Sequence, residues 1–235
     1  MPCVPTGWPS MSVESFHEEY RKLFNALAAQ YLVSDYVTER TKVLFILESP
    51  HVQELKHGAP VSGPSGASMS RHLFGDRFAH LPLGVIVKKN VDEKLLRPSL
   101  DRIGLMNVCQ IPLQATAYAD AALTAQHAPF FAALAAVRTA SGAAAFTDPR
   151  KQAVQQIIMG SIRRKLAKLT EQELYIVPCG RFAQSFFRLV AVSSPAWVVI
   201  DDVPHPSYNN WSKPQYAAAI DRVKLACADQ VAAQP

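Results

Sequence analysis

Only four cysteines occur in the 235 residues, Cys3, Cys109, Cys179 and Cys227, and no two of them form a C-x-x-C pair. That excludes the common zinc-site spacings and the disulfide frameworks of small secreted domains, and it suits a reducing compartment. No run approaches the ~18 apolar residues that a membrane-spanning helix needs. The first residues also lack a basic stretch followed by an apolar one. A soluble, cytoplasmic protein is therefore expected. The G-x-S-x-G elbow of serine hydrolases is missing too, and the Ala-rich stretch 116–148 holds no internal repeat.

What the chain does hold is apolar mass, 49% of its residues, enough for one large core, so a single domain over 1–235 is expected. The ends, 1–12 and 231–235, are expected to be disordered or frayed. Lys and Arg outnumber Asp and Glu by 24 to 19, with a pI near 9.1, which leans toward an anionic partner such as nucleic acid.

Four short apolar runs, at 42–48, 103–109, 174–178 and 196–200, read as buried strands. Helical patterns lie at 13–32, 68–74, 151–169, 181–190 and 214–229, and 116–148 reads as a helical insertion. The segment between 50 and 68, with three of the ten glycines, reads as a loop. Alternation of strand and helix predicts an α/β fold: a central, mainly parallel four-stranded sheet with helices on both faces.

Ligands of such sheets bind beyond the carboxyl ends of the strands. Three of those ends carry polar groups: Glu48-Ser49-Pro50-His51, Asn107, and His205-Pro206-Ser207. These motifs, in this order, resemble the uracil-DNA glycosylase superfamily, most closely its branch related to the iron-sulfur bacterial and archaeal enzymes. In that branch a G-E-x-P-G turn follows the first strand, and Leu47 to His51 look like it. A G-x-P-F-V-G-x-x-G loop comes next, matched by Gly58-Ala59-Pro60-Val61-Ser62-Gly63-Pro64-Ser65-Gly66. Asn107-Val108, Cys179-Gly180 and His205-Pro206-Ser207 occupy the remaining motif places, so the likeness spans about residues 42–211.

The resemblance implies a DNA glycosylase-like hydrolase that cleaves the N-glycosidic bond of a flipped uracil or other deaminated or damaged base. It implies single- or double-stranded DNA as partner, and a monomer that stays off membranes is expected. By the same resemblance His205 stabilises the departing base, while Glu48 and Ser49 position or polarise the water. Asn107 reads the base edge; Ser65 and Ser207 hold phosphates; Tyr208 or Asn209 wedges into the gap left by the extruded nucleotide. Val61 or Ser62 stands where the family commonly has a stacking Phe, and Phe74 or Tyr208 could supply that ring instead. Leu47 and His51 replace the two motif glycines, so the backbone there could follow another course. The cluster cysteines' closely spaced N-terminal pair is absent, so no cluster, metal or other cofactor is expected.

Plainer duties compete with each role. His205 before Pro could cap a strand-end turn, Glu48 could pair with a neighbouring Arg such as Arg71, and Asn107 could satisfy buried backbone groups. Cys109 and Cys179 read as small buried hydrophobes, and the cluster Arg163, Arg164, Lys165, Lys168 reads as a solvated helix face or a phosphate contact. A module of this fold that binds nucleic acid or nucleotide with weak or no catalysis is the alternative function. A triad of Ser207, His205 and Asp201 or Asp202 ranks last, because it crowds into seven residues where triad members converge from separate strands.

Overall fold

Strand runs in which nearly every side chain is apolar can only sit between two covering layers, and that requirement organises the whole chain. In the structure, a computed structural model that describes residues 12–140 and 142–232, the elements begin with α1 (Val13–Tyr31), β1 (Val43–Leu47), α2 (Val52–His57), α3 (Pro64–Phe74), α4 (Leu83–Asp92), α5 (Pro98–Asp101) and β2 (Ile103–Asn107). The second half adds α6 (Ala121–Gln126), α7 (Ala128–Thr139), α8 (Pro149–Ala167), β3 (Leu174–Pro178), α9 (Gly180–Val190), β4 (Trp197–Val199) and α10 (Ala217–Ala232).

The four strands form one parallel sheet in the order β2-β1-β3-β4. β1 is central, with Leu47 opposite Asn107 and Ile46 opposite Pro178. Side chains alternate across the sheet. Leu44 and Ile46 enter a core with α1, α7, α8 and α9, built on Phe130, Leu134, Ile158, Ile162 and Phe186. Val43, Phe45 and Leu47 enter the other core, with Met69, Leu83, Val87, Trp211, Ile220 and Val223. The predicted α/β architecture, helices on both faces of a parallel sheet, is therefore the one observed. Beyond β2, Tyr36 and Leu105 exchange two backbone hydrogen bonds of 2.8 Å, which satisfy part of that open edge.

Several boundaries differ from the expectation. The stretch read as a loop between 50 and 68 contains α2 and the first turn of α3. Glu54 makes the difference: its Oε2 accepts from the His51 N–H at 2.9 Å, as in a capping box, and Gly58 closes α2 in the left-handed region at φ 69°. α4 and α5 carried no pattern that marked them. α10 runs to Ala232 and packs its inner face through Ile220, Val223 and Ala226. Residues 1–11 and 233–235, with Cys3, lie outside the described residues. Among the described residues no helix is long and apolar enough to cross a membrane.

Candidate active site

Because all four strands run the same way, their carboxyl ends open on one edge of the sheet. Pairing of β1 and β2 continues past the strands through Val108 N–H to Leu47 O (2.9 Å) and Cys109 N–H to Glu48 O (3.1 Å). Glu48 therefore emerges beside Asn107. A cavity of about 670 Å³ opens there, and Glu48, Ser49, Val61, Ser65 and Asn107 line it. His205, Ser207 and Tyr208 line it as well. Phe74 and Asn209 do not line it. Phe74 lies at the far end of α3, edge-on to Phe78 with centroids 5.8 Å apart, and Asn209 turns its amide oxygen to the Ser212 hydroxyl at 2.9 Å. Of the two rings that could replace the missing Phe, only Tyr208 is at the cavity. It is 89% exposed and holds φ 55°, a left-handed conformation unusual for a bulky residue, on the rim.

His205 is held through its backbone and through Nδ1. Asn210 Nδ2 donates to its carbonyl at 3.1 Å, and Trp211 Nε1 donates to the Pro204 carbonyl at 3.0 Å. Behind the ring lies Gly180, at φ 85°, where a Cβ would sit 2.8 Å from His205 Cβ; only glycine lets α9 begin this close. The Ser207 N–H donates to Nδ1 at 3.2 Å and the Ser207 hydroxyl lies 2.9 Å from the same nitrogen. Nδ1 thus accepts, so the neutral ring carries its proton on Nε2. Burial, the largest influence, lowers the ring's pKa; Glu48 opposes this and Arg138 adds to it. The result is a neutral donor through Nε2. Capping the turn and facing the cavity are both possible because they use different ring nitrogens. Asp201 and Asp202 are exposed and neither bonds the imidazole, so the triad geometry does not form.

Glu48 forms its ion pair with Arg138, not Arg71; Arg71 Nη2 donates instead to Ser212 Oγ at 2.8 Å. Arg138 is the lone charge of α7, an otherwise uncharged helix within the Ala-rich stretch, and that isolation is the signal that could have marked it. It lines the cavity with Glu48 and His205.

Glu54, within the stretch that reads as a loop and outside every motif, also lines the cavity. Its Oε1 accepts from the Val61 N–H at 2.6 Å, so one carboxylate holds both the start of α2 and the Val61 turn, a β-branched residue at φ 48°. Burial pushes its carboxyl from 4.5 up to about 7, against the pull of those two N–H bonds. A carboxyl raised in the fold favours folding fully below its unfolded pKa of 4.5 and loses that contribution as pH rises through about 7. Urea unfolding at pH 5 and pH 8 should therefore show lower stability at pH 8, by on the order of 1–3 kcal/mol. Glu54→Gln should flatten this slope while losing one of the two loop bonds. A difference between pH 5 and pH 8 that is unchanged in Glu54→Gln would contradict the assignment.

Asn107 is fully buried, and neither its Oδ1 nor its Nδ2 has a protein partner, although both lie on a cavity-lining side chain. It does not satisfy backbone groups with its amide. Cys109 and Cys179 are buried and their thiols are pushed up by desolvation, Cys109 to about 12; they are packing groups, not nucleophiles. Among the described residues no cluster of three His, Cys, Asp or Glu side chains could hold a metal.

Compared with known proteins, residues 34–224 match the family model described as the uracil DNA glycosylase superfamily. That span contains every strand and every cavity residue named above. A search of curated proteins finds no match.

Proposed function

Since the chain belongs to the uracil-DNA glycosylase superfamily, we propose that it hydrolyses the N-glycosidic bond of a deaminated or damaged base, uracil among them, flipped from DNA into this cavity. Family membership carries the general statement, a DNA-binding, glycosylase-like protein. The reaction and its residue roles are the present reading.

When the C1′–N bond breaks, its electron pair goes to the base, leaving an anion there and an oxocarbenium-like sugar. Water then adds to C1′ and gives up a proton. A neutral His205 with its proton on Nε2 suits the first need: it donates a hydrogen bond to the charge that develops on the base, in a site partly shielded from water. Glu48 and Ser49, the first two residues beyond β1, suit the second, Glu48 as acceptor of the water's proton and Arg138 as the cation that orients it. The start of α3, with the Ser65 hydroxyl at the cavity, offers donors to phosphates.

The observation that carries the reading is the Asn107 amide, buried without a protein partner on the cavity wall. Each unpaired buried polar group costs about 1–3 kcal/mol. A fold retains that cost where a ligand edge with complementary donors and acceptors repays it. Asn107→Leu should therefore raise the urea midpoint while lowering base release at least about tenfold. The test uses oligonucleotides with single uracil, hypoxanthine or xanthine residues, single- and double-stranded. Release by the wild type, lost in the more stable variant, is the expected result.

The Glu48–Arg138 ion pair favours one other reading, a binding module, because it ties up the only acid at the first strand end. No release from any substrate, with salt-sensitive DNA binding retained, would establish that module in place of the hydrolase.

A further inference from the structure

Asn107 is steered by its backbone, and the groups that steer it come from outside the sheet. In parallel pairing, alternate residues direct both N–H and C=O to the same side. Val108 bonds β1, so Asn107, like Leu105, points its backbone groups away from β1, toward the outer edge. Leu105 finds Tyr36 there. Asn107 finds two charged side chains: its N–H donates to Asp35 Oδ1 at 3.0 Å, and its carbonyl accepts from Lys165 Nζ at 2.5 Å. Lys165 Nζ and Asp35 Oδ2 are themselves 3.0 Å apart, with side chains only 17% and 13% exposed.

The pair occupies the place of a further strand, at a residue whose buried side-chain amide lines the cavity without a protein partner. Lys165 reaches it from α8, out of a basic cluster whose other members behave differently: Arg164 and Lys168 are exposed, and Arg163 Nε donates to the Val190 carbonyl at 3.2 Å. Burying an ion pair is poor value for stability, since apolar side chains of similar volume commonly serve as well. Desolvation, the dominant influence on Asp35, raises its carboxyl despite Lys165 and the Asn107 N–H. What the pair does supply, and apolar side chains cannot, is a donor and an acceptor locked to each other.

We propose that Asp35 and Lys165 are positioning residues that set the height and orientation of Asn107 for base recognition. This rests on the reading of Asn107 given above. The test replaces both, Asp35→Leu with Lys165→Met, so that no unpaired buried charge is left behind. The double variant should melt close to the wild type, release base with kcat/KM lowered about tenfold or more, and shift or broaden the Asn107 side-chain amide resonances in 15N spectra. Introduced on Asn107→Leu, the same two changes should cost nothing further, as a pair acting only through Asn107 requires. Lys165→Arg alone should keep most of the wild-type rate.

An unchanged kcat/KM, or an equal loss on the Asn107→Leu background, would overturn the proposal. If the wild type releases no base at all, the glycosylase reading fails separately and the spectra decide: displaced Asn107 amide signals support positioning, and unmoved ones overturn it.

Discussion

His205→Ala is expected to lower the rate of base release by about 10²–10³-fold, with the fold retained. The size follows from losing one prearranged donor to a developing anion. Three structural facts make this side chain such a donor. The Ser207 N–H occupies Nδ1 and so places the proton on Nε2; burial keeps the ring neutral; and Gly180, at φ 85°, leaves no slack behind it. A neutral donor also fixes the pH response. The rate should be flat through the ordinary imidazole range near ~6.5, because the lowered pKa keeps the ring a neutral donor there. Single-turnover base release between pH 5 and 8, wild type against His205→Ala, measures both. A variant within twofold of wild type would remove His205 from the chemistry.

The second large effect is on folding. Gly66→Ala should cost about 3 kcal/mol, the upper end for overpacking, and lower Tm by roughly 6–12 °C for a chain of this size. An alanine Cβ at 66 would lie 1.6 Å from the Val61 carbonyl oxygen and 2.7 Å from its carbon. The loop cannot retreat, because Val61 O accepts the Gly84 N–H at 3.2 Å and a Cβ at Gly84 would meet Pro60 O at 1.8 Å. Residues 60 and 61 are clamped between two helices through two glycines. Moving them also breaks the Glu54 bond to Val61 and displaces Ser65, so activity should fall with stability. Thermal and urea unfolding would show it, and an unshifted midpoint would mean that the clamp is looser than its geometry.

The cavity's composition shows how far local pattern reaches. Glu48, Asn107 and His205 are legible because each stands at or shortly after the end of an apolar run, and a parallel sheet puts such ends together. Ser65 and Ser207 followed from their motifs. That Phe74 carries a ring is legible, but not that the end of α3 turns it toward Phe78. Arg71 is a cation near Glu48 in sequence, yet α3 carries it to Ser212. Glu54 was hidden because glycine and proline on both sides marked the stretch as loop, while one buried carboxylate with two N–H partners folds it.

The sequence by itself determined the sheet, its two covering layers and the edge at which the site opens, because hydrophobic period and chain order are local quantities that burial reads directly. Only the tertiary structure decided which charges meet there. Arg138 lies 90 residues from Glu48, and Asp35 and Lys165 stand 130 positions apart in number. The rotation of α7 and α8 against the sheet, set by how Phe130, Leu134, Ile158 and Ile162 pack, brings those ends to the strands. No spacing along the chain encodes an angle that is fixed by close packing.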